Sequence, residues 1–369
     1  MRICAEALEA PRACLCCGGD RLHSKGLYWR RVRHLPWMGI PTQLVIRCRR
    51  YRCLGCNRSF VQPLPGVMAG RRTSEPWREA IYERHHDGIC ASVLARRESS
   101  SPATVGRIYA QFTERKAKER LSLDCPFVLG IDEHTLHKGQ RFATTFCDLK
   151  NRRVFDVVPG RSEAELSDYL RALRGRERVR VVCIDLSSTY RLLVRRWFPN
   201  ALIVADRFHA VRLAGQHLMS VARQLVPQLG WNRGWLGLLR SRPDMLEPER
   251  QCSLAQLLSQ QPALRAVHEM KQRLDALLRL KLQSKRACRA HVARLLDYIQ
   301  MLRESGLEAA LALAKTLTSW SEEIGRMWRF SRNNGITEGF HRKMKLIQRR
   351  AYGFRSFSNY RLRVIAQCG

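Results

Sequence analysis

Two Cys-x-x-Cys pairs and three widely separated carboxylates are the residues of this sequence whose types and spacing point to chemistry. Cys14-x-x-Cys17 and Cys53-x-x-Cys56 flank a long intervening segment. A Cys-x-x-Cys turn places two thiolates on one tetrahedral ion, and two such turns fill all four positions. One structural Zn2+ is expected, with iron as the alternative, because a closed four-thiolate site keeps no open position for a substrate. Gly18 and Gly55 are expected to give the two turns their conformational freedom. Cys16 and Cys48 are the alternative ligands, although neither keeps the two-residue gap. The remaining cysteines are scattered and read as small buried side chains.

The carboxylates are Asp132, Asp185 and Glu338. Asp132 ends the apolar run Phe127–Asp132 (FVLGID), and Asp185 ends Val179–Asp185 (VRVVCID). Short apolar runs of this kind read as buried strands. Two further strands, Arg141–Leu149 and Arg153–Val158, follow the first across the turn-forming Lys150-Asn151 and are expected to pair antiparallel with it. Ser162–Leu173 reads as a helix with a capping box from Ser162 to Glu165. Ser187–Trp197 reads as another helix and Ala201–Asp206 as a fifth strand. After a three-strand meander, the first and fourth strands are expected to lie side by side and parallel. Their carboxyl ends then bring Asp132 and Asp185 together, where open α/β sheets bind ligands. Adjacent carboxylates repel unless a cation separates them, and hard oxygen ligands select Mg2+ or Mn2+.

Glu338 is the candidate third carboxylate. It opens a helix expected over Ile336–Ile347, within Arg332–Gly339, and is the last acid in the chain. Two metal ions held by such a trio would serve phosphoryl transfer. Alternatives stand at each position. Glu133 follows Asp132 but points to the opposite face of the sheet. Asp148 and Asp156 read as edge or turn charges, and Glu322 and Glu323 as members of an ordinary charged helix. Asp206-Arg-Phe-His209 is either a rival source of the second carboxylate or an accessory pair in which Asp206 orients His209. Its plainest reading is a helix cap with a satisfied histidine.

Charge names the class of partner. The 369 residues carry 66 Lys and Arg against 32 Asp and Glu, a net +34. Such an excess opposes compaction unless a polyanion is the normal partner, and nucleic acid is the default. Arg21–Ser74 contains no acid, and neither does the segment from Gly339 onward. Two contact surfaces for phosphates are therefore expected. Arg47, Arg49, Arg50 and Arg52 would serve the first. Lys343, Lys345, Arg349, Arg350 and Arg355 would serve the second, with Tyr352, Phe354, Phe357 and Tyr360 interleaved as an aromatic, basic tail. Apolar runs are too short to span a bilayer, and the N-terminal residues lack a signal peptide's apolar core. A soluble, intracellular protein is expected.

Between these surfaces, Glu75–His86, Cys90–Arg97 and Ser101–Lys118 read as three short helices. Ser101 is a suitable cap and Pro102 a suitable first helical residue. Thr104 and Arg107 at the start of the third helix suit a major groove, as in a helix-turn-helix. From about Ala210 to Arg329 the chain reads as Leu-rich amphipathic helices. The expected domains are a zinc ribbon over 1–66, a helix-turn-helix domain over 72–120, the first part of an α/β catalytic core over 125–212, an all-helical insertion over 213–329, and a glutamate-bearing helix with its tail over 330–369.

Taken together, several blocks resemble the DDE transposases of bacterial insertion sequences, specifically the ISL-three family. They are the two cysteine pairs, Gly130–Glu133, Lys138–Arg141, Val181–Tyr190, Phe198–His209, Asn334–Gly339, and the tail from Arg350–Phe354 through Arg361–Arg363. The resemblance covers nearly the full length. It implies an RNase H-like core, interrupted between its fifth strand and the glutamate helix by a helical insertion. In related Mutator-like transposases a Cys- or Asp-x-x-His motif follows the second catalytic Asp, which by similarity favours Asp185 as catalytic and Asp206/His209 as accessory. The family often has Asn where His341 stands. The implied activity is metal-dependent cleavage and transfer of DNA strands at the element's terminal inverted repeats, by a homodimer or larger assembly on double-stranded DNA in the bacterial cytoplasm, near the nucleoid. A catalytically inactive DNA-binding regulator and an RNase H-like nuclease or resolvase are the alternatives.

Overall fold

The computed structural model describes residues 1–121, 123–137, 141–330, 335–351, 353–354 and 356–369. Lys138–Gln140, Arg332–Asn334, Tyr352 and Arg355, singled out above, lie outside the described residues. The chain divides into two compact units, Met1–Lys118 and Glu119–Gly369.

The first unit opens with β1 (Arg2–Glu6), β2 (Leu22–Trp37), β3 (Ile40–Cys53) and β4 (Ser59–Val61). β3 pairs with all three others, parallel to β1 and antiparallel to β2 and β4. Met38 and Gly39 form the two-residue turn between β2 and β3, both with positive φ, the geometry whose twist suits a hairpin. The hairpin is much longer than the run Gln43–Arg47 that reads as a strand. Arginines at 47, 49, 50 and 52 hide the apolar alternation in the sequence, while the ladder to β2 and β4 holds the backbone extended. The apolar core here is small, centred on Val32, Ile46, Cys48 and Leu64.

Three helices complete this unit: α1 (Glu75–His86), α2 (Ala91–Arg97) and α3 (Pro102–Leu121). The Ser74 hydroxyl caps α1 at the Trp77 amide, and the Ser101 hydroxyl accepts from the Thr104 amide at 3.2 Å. Gly88 turns the chain with φ +114°, a conformation that a residue with a Cβ resists. Trp77, Ile81, Tyr82, Leu94, Ile108 and Phe112 fill the centre. The buried Glu98 carboxylate accepts from Trp77 Nε1 at 2.9 Å and Arg84 Nη1 at 2.7 Å, fixing the second turn against the first helix.

The second unit is built on a sheet of order β7-β6-β5-β8-β9. Its strands are β5 (Val128–His137), β6 (Arg141–Asp148), β7 (Arg153–Pro159), β8 (Val181–Ile184) and β9 (Leu202–Ala205). β5, β6 and β7 form the antiparallel meander, whereas β8 runs parallel to β5 and to β9. Side chains alternate across the sheet. Leu129, Ile131, Val182 and Ile184 face a large core shared with α4 (Glu163–Ala172), α5 (Ser188–Trp197) and the following helices. The capping box of Ser162 and Glu165 opens α4.

Beyond β9 the chain is helical: α6 (Arg207–Leu225), α7 (Arg233–Arg240), α8 (Pro248–Gln260), α9 (Pro262–Leu278), α10 (Lys285–Glu304), α11 (Glu308–Ser319) and α12 (Ser321–Met327). Glu323 on α12 is buried and lies 3.2 Å from Arg191 on α5. It is a structural ion pair, not the surface charge that the sequence indicates. Among the described residues no helix is long and apolar enough to cross a membrane.

α13 (Gly335–Arg350) and α14 (Phe357–Cys368) return to the other sheet face. Thr337, His341, Met344 and Ile347 form the buried stripe of α13, at the three-to-four-residue spacing of a helix face. Lys343, Lys345, Arg349 and Arg350 lie on its exposed side. The tail expected to hold DNA is instead α14. Tyr360 is fully buried, and Phe354 and Phe357 pack with it against the core. Arg361 donates twice to the buried Asp156 carboxylate, at 2.7 and 2.6 Å. Phe357, Tyr360 and Arg361 thus belong to an amphipathic helix whose apolar face closes the sheet. Asp148 is buried as well, accepting from the Lys150 and Asn151 amides of the β6–β7 turn. Arg361→Ala strands Asp156 without its partner, and urea unfolding is expected to register a loss of about 3–5 kcal/mol.

Candidate active site

Asp132 lies within β5, not at its end, because β5 continues along β6 as far as His137. Its parallel pairing with β8 stops earlier, at Gly130 opposite Cys183. A cleft therefore opens between β5 and β8 just where Asp132 stands. Asp185 follows the last residue of β8, and Asp206 the last residue of β9. The three acids consequently converge at the carboxyl ends of adjoining parallel strands.

Ligand atoms of Asp132, Asp185 and His209 all lie within 4.8 Å of one another. His209 Nδ1 is 3.6 Å from Asp185 Oδ2, and its Nε2 is 3.7 Å from Asp206 Oδ2. Asp206 is buried and caps α6, accepting from the Phe208 amide at 3.4 Å. The cap reading of Asp206 is therefore correct, and His209, one turn further on, stands between it and Asp185. Asp132 has its own histidine: His341 Nδ1 lies 3.7 Å from Asp132 Oδ2. His341 Nε2 shares a hydrogen bond with Thr145 Oγ1 at 3.1 Å, which also meets His134 Nδ1 at 3.0 Å. His134 Nε2 reaches the Tyr360 hydroxyl at 2.9 Å. A buried polar chain thus runs from the site to α14. In the sequence His341 stands out only as a departure from the family's usual Asn. Its position on the buried stripe of α13, three residues after Glu338, was the available signal.

Glu338 lines a cavity of about 160 Å3 together with Asp132, Glu133, Asp206, His209 and His341. Its carboxylate is turned to Arg342 at 3.2 Å and is not among the three clustered ligands. It sits in the first turn of α13, where the helix dipole favours an anion. Glu133 belongs to the opposite face by alternation, yet also lines this cavity and lies 3.9 Å from Arg161.

Electrostatics set the site's need for a cation. Burial, and next the Asp185 charge, raise the Asp132 carboxyl to about 8. Burial also raises Asp185, against the opposing pull of His209. Asp185 Oδ1 is buried with no hydrogen-bond partner among the described residues. Burial first, then the His134 neighbour, holds His341 down to about 3, so it is neutral. A divalent cation fits this donor set: two crowded carboxylates, one orphaned oxygen and an imidazole. Without it, Asp132 binds its proton more tightly folded than unfolded. Its stabilising contribution is complete below about pH 4 and is lost as pH rises towards 8. Metal-free thermal unfolding followed across that range is expected to show stability falling by up to about 1.4 kcal/mol per pH unit.

The ribbon holds a second, chemically different set. Cys14, Cys17, Cys53 and Cys56 bring their Sγ atoms within 4.8 Å of one another. Cys14 and Cys56 are 3.7 Å apart, Cys17 and Cys53 3.6 Å. A tetrahedral ion with sulfur at 2.3 Å needs about 3.8 Å between sulfurs. The backbone amides of Cys17 and Cys16 hold the Cys14 thiol down to about 6. Gly18 takes φ +76° after the first pair, but after the second the left-handed residue is Asn57, at φ +61°. Gly55 is not the residue that supplies that freedom. Cys48 is buried and donates to the Tyr28 carbonyl at 3.2 Å, and Cys16 is exposed. Neither belongs to the four.

Of the arginines expected on the ribbon, Arg49 and Arg50 are exposed. Arg47 lies 3.7 Å from Glu6, and Arg52 donates to Asn57 at 2.5 Å. Arg107 is exposed on α3 and donates to Thr104 at 3.2 Å.

Comparison with known proteins covers both the ribbon and the region of the sheet. Residues 10–56 match the zinc-finger of the transposases of IS204, IS1001, IS1096 and IS1165. Residues 129–364 match the ISL3 transposase family. The transposase for insertion sequence element IS1001 of Bordetella parapertussis is 29% identical over 359 residues, which cover 91% of this chain and 84% of that protein. With a family match that spans the sheet, the helical region and α13, this chain belongs to the ISL3 family of transposases.

Proposed function

We propose that the protein cleaves DNA at the terminal inverted repeats of its element and joins the freed 3′ ends to target DNA. The observation that carries this reading is the convergence of Asp132 and Asp185, with an orphaned Asp185 oxygen, at the end of a sheet of meander-then-parallel order. That order supports an RNase H-like core, with 213–329 as its helical insertion. Asp132 and Asp185 would hold Mg2+ or Mn2+, and Glu338 would complete the set by turning from Arg342 towards the cavity it lines. When bound, two such ions activate an attacking oxygen and stabilise a leaving oxygen in phosphoryl transfer. His209 orients Asp185 and is itself oriented by Asp206. His341, held neutral, keeps Asp132 in place without competing for its charge.

In the same reading the ribbon and α1–α3 recognise the repeats. Arg49, Arg50, Thr104 and Arg107 meet DNA, and Lys343, Lys345, Arg349 and Arg350 hold it near Glu338. Arg47 and Arg52 contribute after releasing their present partners. Two element ends must be held together, so the active form is a dimer or larger on double-stranded DNA.

Incubation with the element ends, Mg2+ and a target plasmid tests the proposal. Strand-transfer products are expected from the wild type and from none of Asp132→Asn, Asp185→Asn and Glu338→Gln. Full transfer by Asp185→Asn with loss in Asp206→Asn would exchange the roles of those two acids. End binding without any cut would favour the regulator reading, and cutting without joining the nuclease reading.

A further inference from the structure

A second cleft adjoins the carboxylate cavity. It measures about 570 Å3 and is lined by Arg207, Phe208, Arg212, Arg242, Arg279 and Lys281. Phe208 and Arg212 line the carboxylate cavity too, so one wall is shared. The cleft brings together the start of α6 and two distant parts of the helical region, around Arg242 and around Arg279–Lys281.

Its charges are only partly answered. Arg242 is paired with Asp244, and Arg279 lies 2.6 Å from Asp275. Among the described residues Arg212 and Lys281 have no ion-pair partner, and both are exposed. Arg207 is the most telling member. It is 4% exposed, and its Nη2 donates to the carbonyls of Met327 and Phe330 at 2.8 and 2.9 Å. Its Nε and Nη1 are buried and have no hydrogen-bond partner among the described residues. A buried guanidinium with two idle donors is costly unless an anion completes it, and the guanidinium fork matches phosphate oxygens. Phe208 adds a second kind of contact. It is 42% exposed and packs edge-on to His209, with ring centroids 5.5 Å apart. An aromatic face between two cavities suits a nucleobase, which stacks on such rings in single-stranded sites.

We propose that this cleft binds the phosphodiester backbone of the DNA strand that continues from the carboxylate site, with the adjoining base stacked on Phe208. The proposal rests on the strand-cleavage reading for the strand's direction, but its contacts are measurable without any reaction. The helical region would then be part of the substrate channel as well as a packing partner of the sheet.

The test uses the full-length protein in EDTA-free buffer with Asp132→Asn as background, so that no cleavage intervenes. The probe is a fluorescein-labelled 20-nucleotide oligo(dT), with 5-iododeoxyuridine in place of one dT for photocrosslinking. The crosslink is expected at Phe208 by mass spectrometry and should be lost in Phe208→Ala. In Arg212→Ala/Lys281→Ala, two exposed positions that leave the core untouched, the slope of log affinity against log salt should fall by about 1.4, since each single-strand phosphate contact contributes about 0.7. An unchanged slope with no adduct at Phe208 overturns the proposal. So does equal protection of the cleft by inorganic phosphate and by the oligonucleotide, which would mark a site for a free anion. A wild type that makes no cut at the element ends while the crosslink at Phe208 is retained would instead count against the strand-transfer reading alone.

Discussion

On the proposed function, Asp132→Asn is expected to lower strand cleavage by at least about a thousandfold and, at the same time, to make the metal-free protein more stable at pH 8. The first effect would follow from removing one of two carboxylates proposed to hold a cation, which in phosphoryl transfer is worth several kcal/mol. The second follows from the site's own electrostatics. Asp132 is buried beside Asp185, and its carboxyl is raised to about 8. Near that pH the wild type must either keep a proton there or place two negative charges together. Asn has the same shape and no charge, so Asp132's part of the stability loss between pH 4 and 8 disappears with it. Calorimetry of both proteins at pH 5 and pH 8, with and without Mn2+, reads the effect. The cation should raise the wild-type transition most at pH 8, where the proton competes least for the carboxylate, and should leave the variant nearly unmoved. A wild type whose transition ignores Mn2+ at pH 8 would remove the cation from this site.

Cys53→Ser is expected to unfold the ribbon and to abolish binding of the element ends, whereas the sheet of the second unit keeps its transition. The reason is the poverty of the ribbon's core: Val32, Ile46, Cys48 and Leu64 are its buried apolar cluster. Four residues of this size contribute roughly 1.5–3 kcal/mol each, well below the entropy of ordering two strands of 16 and 14 residues. Zinc binding to such a set contributes about 10–16 kcal/mol, so the metal carries the fold. Prolonged chelation should reproduce the variant, and added Zn2+ should reverse chelation but not the substitution. Circular dichroism with zinc quantified by a chromogenic chelator measures both. A ribbon that retains end affinity after complete zinc loss would contradict this account.

The residues that carry chemistry were legible in the sequence where local rules govern them. A Cys-x-x-Cys turn needs nothing beyond its own backbone to present two thiolates, and both pairs meet as their spacing indicates. Apolar runs such as VLGI and VVCI are strands because only a sheet buried on both faces accommodates them, and each leads into its aspartate. Capping at Ser74, Ser101 and Ser162 is equally local.

What tertiary structure decided concerns partners far apart in the chain. No local pattern distinguishes the arginine that meets DNA from the one that answers a buried acid. Arg361 pairs with Asp156 across 205 positions, and Arg207 meets carbonyls more than a hundred residues away. For the same reason the aromatic tail became α14: its amphipathic face is recognisable only once the sheet it covers exists. Asp132 and Asp185 could be named from the ends of two apolar runs. That each has its own histidine, His341 and His209, and that among the described residues one carboxylate oxygen is left without a partner, follows only from bringing α6 and α13 to the same end of the sheet, where burial crowds the paired acids.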